Sequence, residues 1–342
     1  MEFTPRALRR MPAEPASVID GESDSARQHA AAPPRIGVLR NPRSHRNRRS
    51  SADPKLPPDL LVAMPRTRPE LQQALQGFAA EGVGVLIIDG GDGTIRDVLT
   101  CGASVFGTRW PKLAVLPKGK TNALALDLGV PDDWTVDAAL AAARGGGEVR
   151  RRPLVVEREG GSALWGFVFG TGVFNTGIKT GQTAHRLGAF QGLAVGVATA
   201  LGIAQALFGF GQGPWRRTAA MRLHAEPGGV EVPHSGKGSR DRRYLALFST
   251  LRKFPMRIRP LRASESDIRY LVFDAPLRRT MAMVPAILAG ADWRFFARVG
   301  VHRGSATEFT LTLDDRFILD GEGFPQASIR LRQGPELRFI VP

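Results

Sequence analysis

Val85-Leu86-Ile87-Ile88-Asp89-Gly90-Gly91-Asp92-Gly93-Thr94 is a run of buried-strand residues that breaks into a glycine loop and opens onto an apolar, helix-like segment. Strand, glycine loop and helix in that order make a phosphate site. The three glycines let the backbone turn tightly and approach a ligand with no Cβ in the way, so successive N–H groups and the next helix N-terminus can face an anion. Asp92 is the odd residue. A carboxylate beside a phosphate cradle is repulsive unless it holds a metal, orients a hydroxyl or a proton, or hydrogen-bonds the loop to itself. A plain strand-to-helix turn would carry the same short motif.

About 25 residues on, the pattern repeats. Leu113-Ala114-Val115-Leu116 reads as a strand, Pro117-Lys118-Gly119-Lys120-Thr121-Asn122 as a polar loop, and Ala123 to Leu128 as a helix closed by Gly129 and Pro131. Two such loops would lie side by side at the carboxyl edge of a parallel sheet, where open α/β folds bind ligands. Gly119-Lys120-Thr121 also resembles the end of a Walker A loop, but that motif requires glycine where this chain has Ala114.

The order Asn41-Pro42-Arg43-Ser44, then Gly90-Gly91-Asp92-Gly93-Thr94, then Pro117-x-Gly119-x-x-Asn122-x-x-Ala125 resembles the diacylglycerol kinase catalytic family, which includes bacterial diacylglycerol kinases, sphingosine kinases and ceramide kinases. The resemblance runs from about Arg35 to the C-terminus, because Phe317-Ile318-Leu319-Asp320-Gly321-Glu322 is similar to the Asp-Gly-Glu segment of the bacterial members. It implies an NAD kinase/diacylglycerol kinase-like fold. An α/β nucleotide-binding domain with a mostly parallel sheet would cover residues 35–150, and a β-rich, sandwich-like domain residues 151–342. ATP with Mg2+ and a lipid hydroxyl would meet in the cleft between them. By the same resemblance, Asn41, Arg43, Ser44, Gly90, Gly91, Gly93, Thr94, Gly119, Lys120, Thr121 and Asn122 would hold the nucleotide. Asp320 would be the general base, with Glu322 assisting it or the metal. Asp92 competes for the base role, as in the sphingosine kinase branch. The expected activity is ATP-dependent phosphorylation of a primary hydroxyl on ceramide, another sphingolipid or diacylglycerol.

This chain departs from that pattern in several places. Lys120 replaces a small hydroxyl residue and would bring a cation to the phosphates. Asp97 replaces a glutamate, is one methylene shorter, and by the resemblance is the candidate metal ligand. His45 stands where the family has glycine. The helix expected next is replaced by a basic, proline-containing loop from Arg46 to Pro58. Asn122-Ala123-Leu124-Ala125 is closer to the sphingosine and ceramide kinase form than to the diacylglycerol kinase form. Two other readings stay open: a non-catalytic lipid- or nucleotide-binding relative, and an NAD kinase, which shares the Gly-Gly-Asp-Gly-Thr loop. Against the latter, no Asn-Glu pair stands where the adenosine ribose would need it.

A chain of 342 residues with 43% hydrophobic content and 39 glycines suits two cored domains. Its formal charge of +15 draws anions. The arginine clusters lack interleaved aromatics or a reading helix, so an anionic membrane surface is the expected partner and nucleic acid is not. A lone cysteine, Cys101, rules out an internal disulfide framework, and no Cys/His cluster has zinc spacing. Residues 1–34 read as a mobile tail and not a secretory signal, which makes the expected location the cytoplasmic side of a membrane. Between Leu187 and Trp215 an uncharged run, diluted by glycines and interrupted by Gln191 and Gln205, reads as a helical insertion near 187–212 lining a lipid entry and not as a span. Oligomeric state is left open, a homodimer included.

Strands are expected near Arg35–Leu39, Leu60–Ala63, Val85–Ile88 and Leu113–Leu116, with helices near Pro69–Glu81, Thr94–Thr100, Asn122–Leu128 and Val136–Arg144. From about Arg151 the pattern turns to strands: 154–158, 164–170, 220–224, 244–248, 268–273, 307–313, 316–319, 328–332 and 336–341. The last of these is placed as able to return to the first domain.

Overall fold

The computed structural model describes residues 34–49, 57–58, 60–177, 213–262, 264 and 267–342. The proposed helical insertion, the N-terminal tail and most of the basic loop after Arg49 lie outside the described residues.

A six-stranded sheet carries the N-terminal half. Its strands β1 (Arg35–Arg40), β2 (Leu61–Ala63), β3 (Val83–Gly90) and β4 (Lys112–Pro117) are parallel and lie in the order β2-β1-β3-β4. β3 is buried along almost its whole length, which is why it reads as an unbroken apolar run and not as an alternating one. Two further strands complete the sheet. β5 (Gly147–Arg151) forms its far edge, and β19 (Leu337–Val341) sits between β4 and β5, parallel to the first and antiparallel to the second.

The helices of this half start where local chemistry says they should. Thr67 caps α1 (Arg68–Ala80): its Oγ1 accepts from the Glu70 N–H, while the Glu70 carboxylate accepts from the Thr67 hydroxyl and the Arg66 N–H, a reciprocal capping box. Thr135 caps α4 (Val136–Gly145) with its Oγ1 accepting the Ala138 N–H at 3.2 Å, without a reciprocal side-chain bond from Ala138. α2 (Asp92–Phe106) is longer than its expected range at both ends, because Asp92 and Gly93 already belong to its first turn. α3 (Ala123–Leu128) stops at Gly129, whose φ of 81° is the left-handed conformation that glycine supplies without penalty.

The C-terminal half is built from two antiparallel sheets. One runs β10 (Val230–Glu231), β9 (Ala219–Glu226), β15 (Glu308–Leu313), β18 (Ser328–Gln333), β6 (Leu154–Arg158), β7 (Leu164–Gly166), with β11 (Arg242–Arg243) paired to β9. The other runs β14 (Val301–Ala306), β13 (Ile268–Phe273), β12 (Leu245–Ser249), β8 (Val168–Gly172), β16 (Phe317–Leu319), β17 (Glu322–Phe324). Phe169, Phe248, Phe309 and Phe317 fill the space between them, and Phe248 meets Phe309 across the two sheets edge-to-face at 4.9 Å. This is the expected fold class, an α/β half with a mostly parallel sheet joined to a β-rich sandwich. α5 (Arg278–Leu288) packs outside the sandwich.

One segment differs from expectation in a way that matters for the site. The sequence pattern predicts one strand over residues 164–170. They form two, β7 in one sheet and β8 in the other, and the chain changes sheet at Phe167. A switch of this kind interrupts the ladder and frees backbone donors for a side chain.

Candidate active site

Three loops converge at the carboxyl ends of β1, β3 and β4. The Asn41 amide donates to the Thr94 hydroxyl at 2.8 Å, and its side-chain oxygen accepts from the Arg43 N–H at 2.9 Å, so one residue ties the first loop to the start of α2. The Arg46 N–H reaches the Lys118 carbonyl. Ser44 is buried, whereas the Arg43 side chain is exposed. Asn47 bridges Asn41 and Asp89, and Asp89, buried at the end of β3, pairs with Arg40 at 3.5 Å. Burial pushes the Asp89 carboxyl upward.

The two glycine loops touch backbone to backbone. A Cβ on Gly91 would lie 2.6 Å from the Gly119 Cα, and one on Gly119 would lie 2.8 Å from the Gly91 Cα. A Cβ on Gly90 would strike Thr94 at 2.5 Å. Gly93 is not constrained in this way and has open space around it. Asn122 holds the second loop with φ 51° and accepts the Gly119 N–H at 2.7 Å, a local side-chain bond that offsets the strain of its left-handed backbone. Lys120 and Thr121 are exposed on the same loop. In the first turn of α2 the N–H groups have no intrahelical acceptor and carry the positive end of a 15-residue helix.

Asp92 points from that turn toward α3. Its two carboxylate oxygens accept the first N–H groups of α3, from Ala123 at 3.1 Å and Leu124 at 3.4 Å. Burial nevertheless raises its pKa, against the pull of those backbone donors. Asp320 arrives from the other half of the molecule. It occupies the two-residue turn between β16 and β17, where Leu319 pairs with Glu322 and both Asp320 and Gly321 have positive φ, 46° and 83°. An Asp-Gly pair of this type matches the twist of the flanking strands. Its carboxylate accepts the N–H groups of Phe167 and Val168 at 3.0 and 2.9 Å, the donors released by the sheet switch. Burial pushes the Asp320 carboxyl up to about 7, and the Asp92 charge adds to the rise, while the two backbone donors and Arg96 oppose it. Asp92 and Asp320 share a small cavity of about 10 Å³, with Ile95, Ala123, Leu124, Phe167 and Leu251 as its other walls.

Glu322 faces the same helix. The Arg96 guanidinium, almost fully buried, forms an ion pair with Glu322 and another with Asp97 at 2.9 Å, and lies over the Phe324 ring. Asp97 also meets Arg68 at 3.8 Å. The residue expected at a metal is thus engaged by two arginines, and among the described residues no three His, Cys, Asp or Glu side chains gather as a metal site.

Arg96, Gly166 and Asp127 belong to the site although no sequence motif singles them out. A Cβ on Gly166 would lie 2.5 Å from the Asp320 carboxylate, so glycine is needed for Asp320 to seat. Asp127 is buried on α3, pairs with Arg151 at 2.6 Å and accepts the N–H groups of Arg252 and Lys253 at 2.7 and 2.6 Å. It pins the loop that carries Leu251 to the α/β half. A lone carboxylate inside the apolar run Ala-Leu-Ala-Leu-Asp-Leu was the available signal.

Residues 35–151 match the model of the diacylglycerol kinase catalytic domain. A relative described as a probable lipid kinase YegS-like protein, from Cronobacter sakazakii (strain ATCC BAA-894), is 36% identical over 114 residues, covering 33% of this chain and 36% of that protein. The chain thus aligns with about a third of that relative's length. A crystal structure of a diacylglycerol kinase from Bacillus anthracis str. Sterne overlays with a TM-score of 0.60 at 14% identity, covering 90% of this chain and 97% of that one. A second structure from the same organism gives 0.64 at 15% identity with the same coverage. At such identities the likeness is one of fold.

Proposed function

We propose that the chain transfers the γ-phosphoryl group of MgATP to the primary hydroxyl of a membrane lipid. What carries the reading is the placement of two carboxylates, Asp92 and Asp320, in one cavity beside the crossing glycine loops. In it, the first turn of α2 and the Gly119–Asn122 loop receive the nucleotide phosphates through backbone N–H groups, with Lys120 and Arg43 as exposed cations beside them. The Mg2+ comes with the nucleotide as part of the substrate and supplies charge neutralisation on the phosphates.

Asp320 is the general base. A carboxyl held near 7 is poised to take a proton from a hydroxyl at neutral pH, and the hydroxyl loses that proton late in a loose phosphoryl-transfer transition state. Asp92 contributes the neighbouring charge that raises Asp320 and fixes α3 at the wall of the cavity. Glu322, held by Arg96, orders the turn that carries Asp320. The Asn122-Ala123-Leu124-Ala125 form of the loop favours ceramide or a related sphingolipid over diacylglycerol as acceptor. No helix among the described residues is long and apolar enough to cross a membrane, so in this reading the enzyme meets its acceptor at the membrane surface.

Transfer of labelled γ-phosphate from MgATP to ceramide, sphingosine, diacylglycerol and NAD in parallel tests the proposal. One labelled lipid, lost in Asp320→Asn, supports it. Labelled NADP, or ATP binding with no labelled product, sinks it.

A further inference from the structure

Trp293 and Phe295 are exposed by 48% and 41%, stacked on each other with ring centroids 5.5 Å apart, and based on the buried Phe296. Met256, 59% exposed, projects from the neighbouring loop. The two pieces are joined: the Arg259 N–H donates to the Leu288 carbonyl at the end of α5, and Arg262 pairs with Asp292 at 3.0 Å. Met256 and Arg257 both hold positive φ, 59° and 57°. Two consecutive non-glycine residues in the left-handed region are strained, and neither has glycine's freedom there. The fold bears that strain and presents a bare thioether to solvent.

Exposed basic side chains adjoin the apolar tips along the chain. Arg257 and Arg259 follow Met256 in the chain, Arg294 and Arg298 flank Phe295, all four are exposed, and Asp292 beside Trp293 is already paired. A cationic rim about a tryptophan-led apolar tip matches the chemistry of an anionic bilayer surface, where indole rings settle at headgroup depth and arginines meet phosphates. The same loop runs back to the proposed active site. Leu251 lines the cavity with Asp92 and Asp320, and Arg252 and Lys253 are anchored on Asp127, only a few residues before Met256.

We propose that Met256, Trp293 and Phe295, with their arginine rim, are a docking surface for anionic lipid membrane that brings the mouth of the site to the bilayer. This rests on the lipid kinase reading for its purpose but not for its test. The full chain is floated with vesicles of phosphatidylglycerol in phosphatidylcholine and with vesicles of phosphatidylcholine alone, and tryptophan emission is recorded with brominated lipids. Phosphotransfer is assayed on vesicle-embedded lipid and on a soluble short-chain acceptor. Circular dichroism melts check that every variant folds.

The expected results are salt-sensitive flotation with the anionic vesicles only, and brominated-lipid quenching that is lost in Trp293→Phe. A Trp293→Ala/Phe295→Ala variant should bind vesicles about tenfold more weakly or worse, and lose transfer to embedded lipid while keeping it on the soluble acceptor. Flotation of the folded double variant equal to wild type would overturn the proposal. So would unchanged quenching in Trp293→Phe, or a vesicle-independent dimer that the double variant dissociates. Flotation and quenching as expected with no transfer to any lipid would leave the docking surface standing and remove the kinase reading.

Discussion

Replacing Asp320 by asparagine should abolish phosphotransfer and, at alkaline pH, stabilise the fold. The carboxyl rises from 3.8 to about 7 in the folded protein, chiefly through burial and then through the Asp92 charge. At about 1.4 kcal/mol per tenfold, that is a ceiling of roughly 4 kcal/mol. Solvent reaches the half-buried group, and screening reduces the effect to about 2 kcal/mol. Because the folded state binds this proton more tightly than the unfolded chain, the favourable contribution is complete below pH 3.8. It is lost as the pH rises toward 7, and constant above that. Asparagine has no such dependence. It keeps one oxygen for the Phe167 and Val168 N–H groups but turns an amide nitrogen toward other donors, a cost of about 1 kcal/mol at every pH. The variant should therefore be about 1 kcal/mol less stable than wild type at pH 4 and about 1 kcal/mol more stable at pH 8. That swing of about 2 kcal/mol corresponds to roughly 4 °C in relative Tm for a protein of this size. Paired thermal melts across that range measure it. A difference that stays flat from pH 4 to pH 8 would refute the raised carboxyl and, with it, the reason for assigning Asp320 the base.

In Asp92→Asn, the charge that helps raise Asp320 is gone, so the acid limb of the pH-rate profile should move to lower pH; an unmoved limb would show that the two carboxylates do not communicate. Gly166→Ala should cost about 1–3 kcal/mol in urea unfolding and reduce turnover far more than nucleotide binding, because the added methyl displaces Asp320 and not the phosphate loops. In Gly91→Ala the reverse is expected: backbone stands against backbone at 2.6 Å, and ATP affinity measured by calorimetry should fall about tenfold or more. Asp127→Ala leaves the Arg151 guanidinium without its carboxylate in a buried setting and should cost about 3–5 kcal/mol, read from urea midpoints; a loss under 1 kcal/mol would mean that the loop is held by other contacts.

The parallel sheet and its loops were legible because β3 and β4 are short apolar runs that end in glycine and are followed by helical periodicity, all within 50 residues. The sandwich was legible from repeated short strands. What escaped was set by distant partners. β5 is a polar Gly-Glu-Val-Arg-Arg strand whose only reason to extend is β19, and no local signal announces it. The sheet switch at Phe167 hides inside a continuous apolar run marked only by Gly166, so the two N–H donors for Asp320 could not be foreseen. Arg96 lies one turn beyond Asp92 on α2, but a lone arginine on a helix ordinarily reads as solvated. Its ion pair with Glu322 depends on a hairpin more than 200 residues away.

The position of β19 also sets a timetable for synthesis. The strand that lies between β4 and β5 is synthesised about 185 residues behind Arg151. At 5–20 residues per second, the parallel sheet waits roughly 10–40 s with a gap in it and the apolar edge of β4 unpaired. Such an edge is a template for the wrong strand. Recombinant yield should therefore depend on chaperone supply during that interval, and supplying residues 337–341 early, in a circular permutant that begins with them, should lessen that dependence.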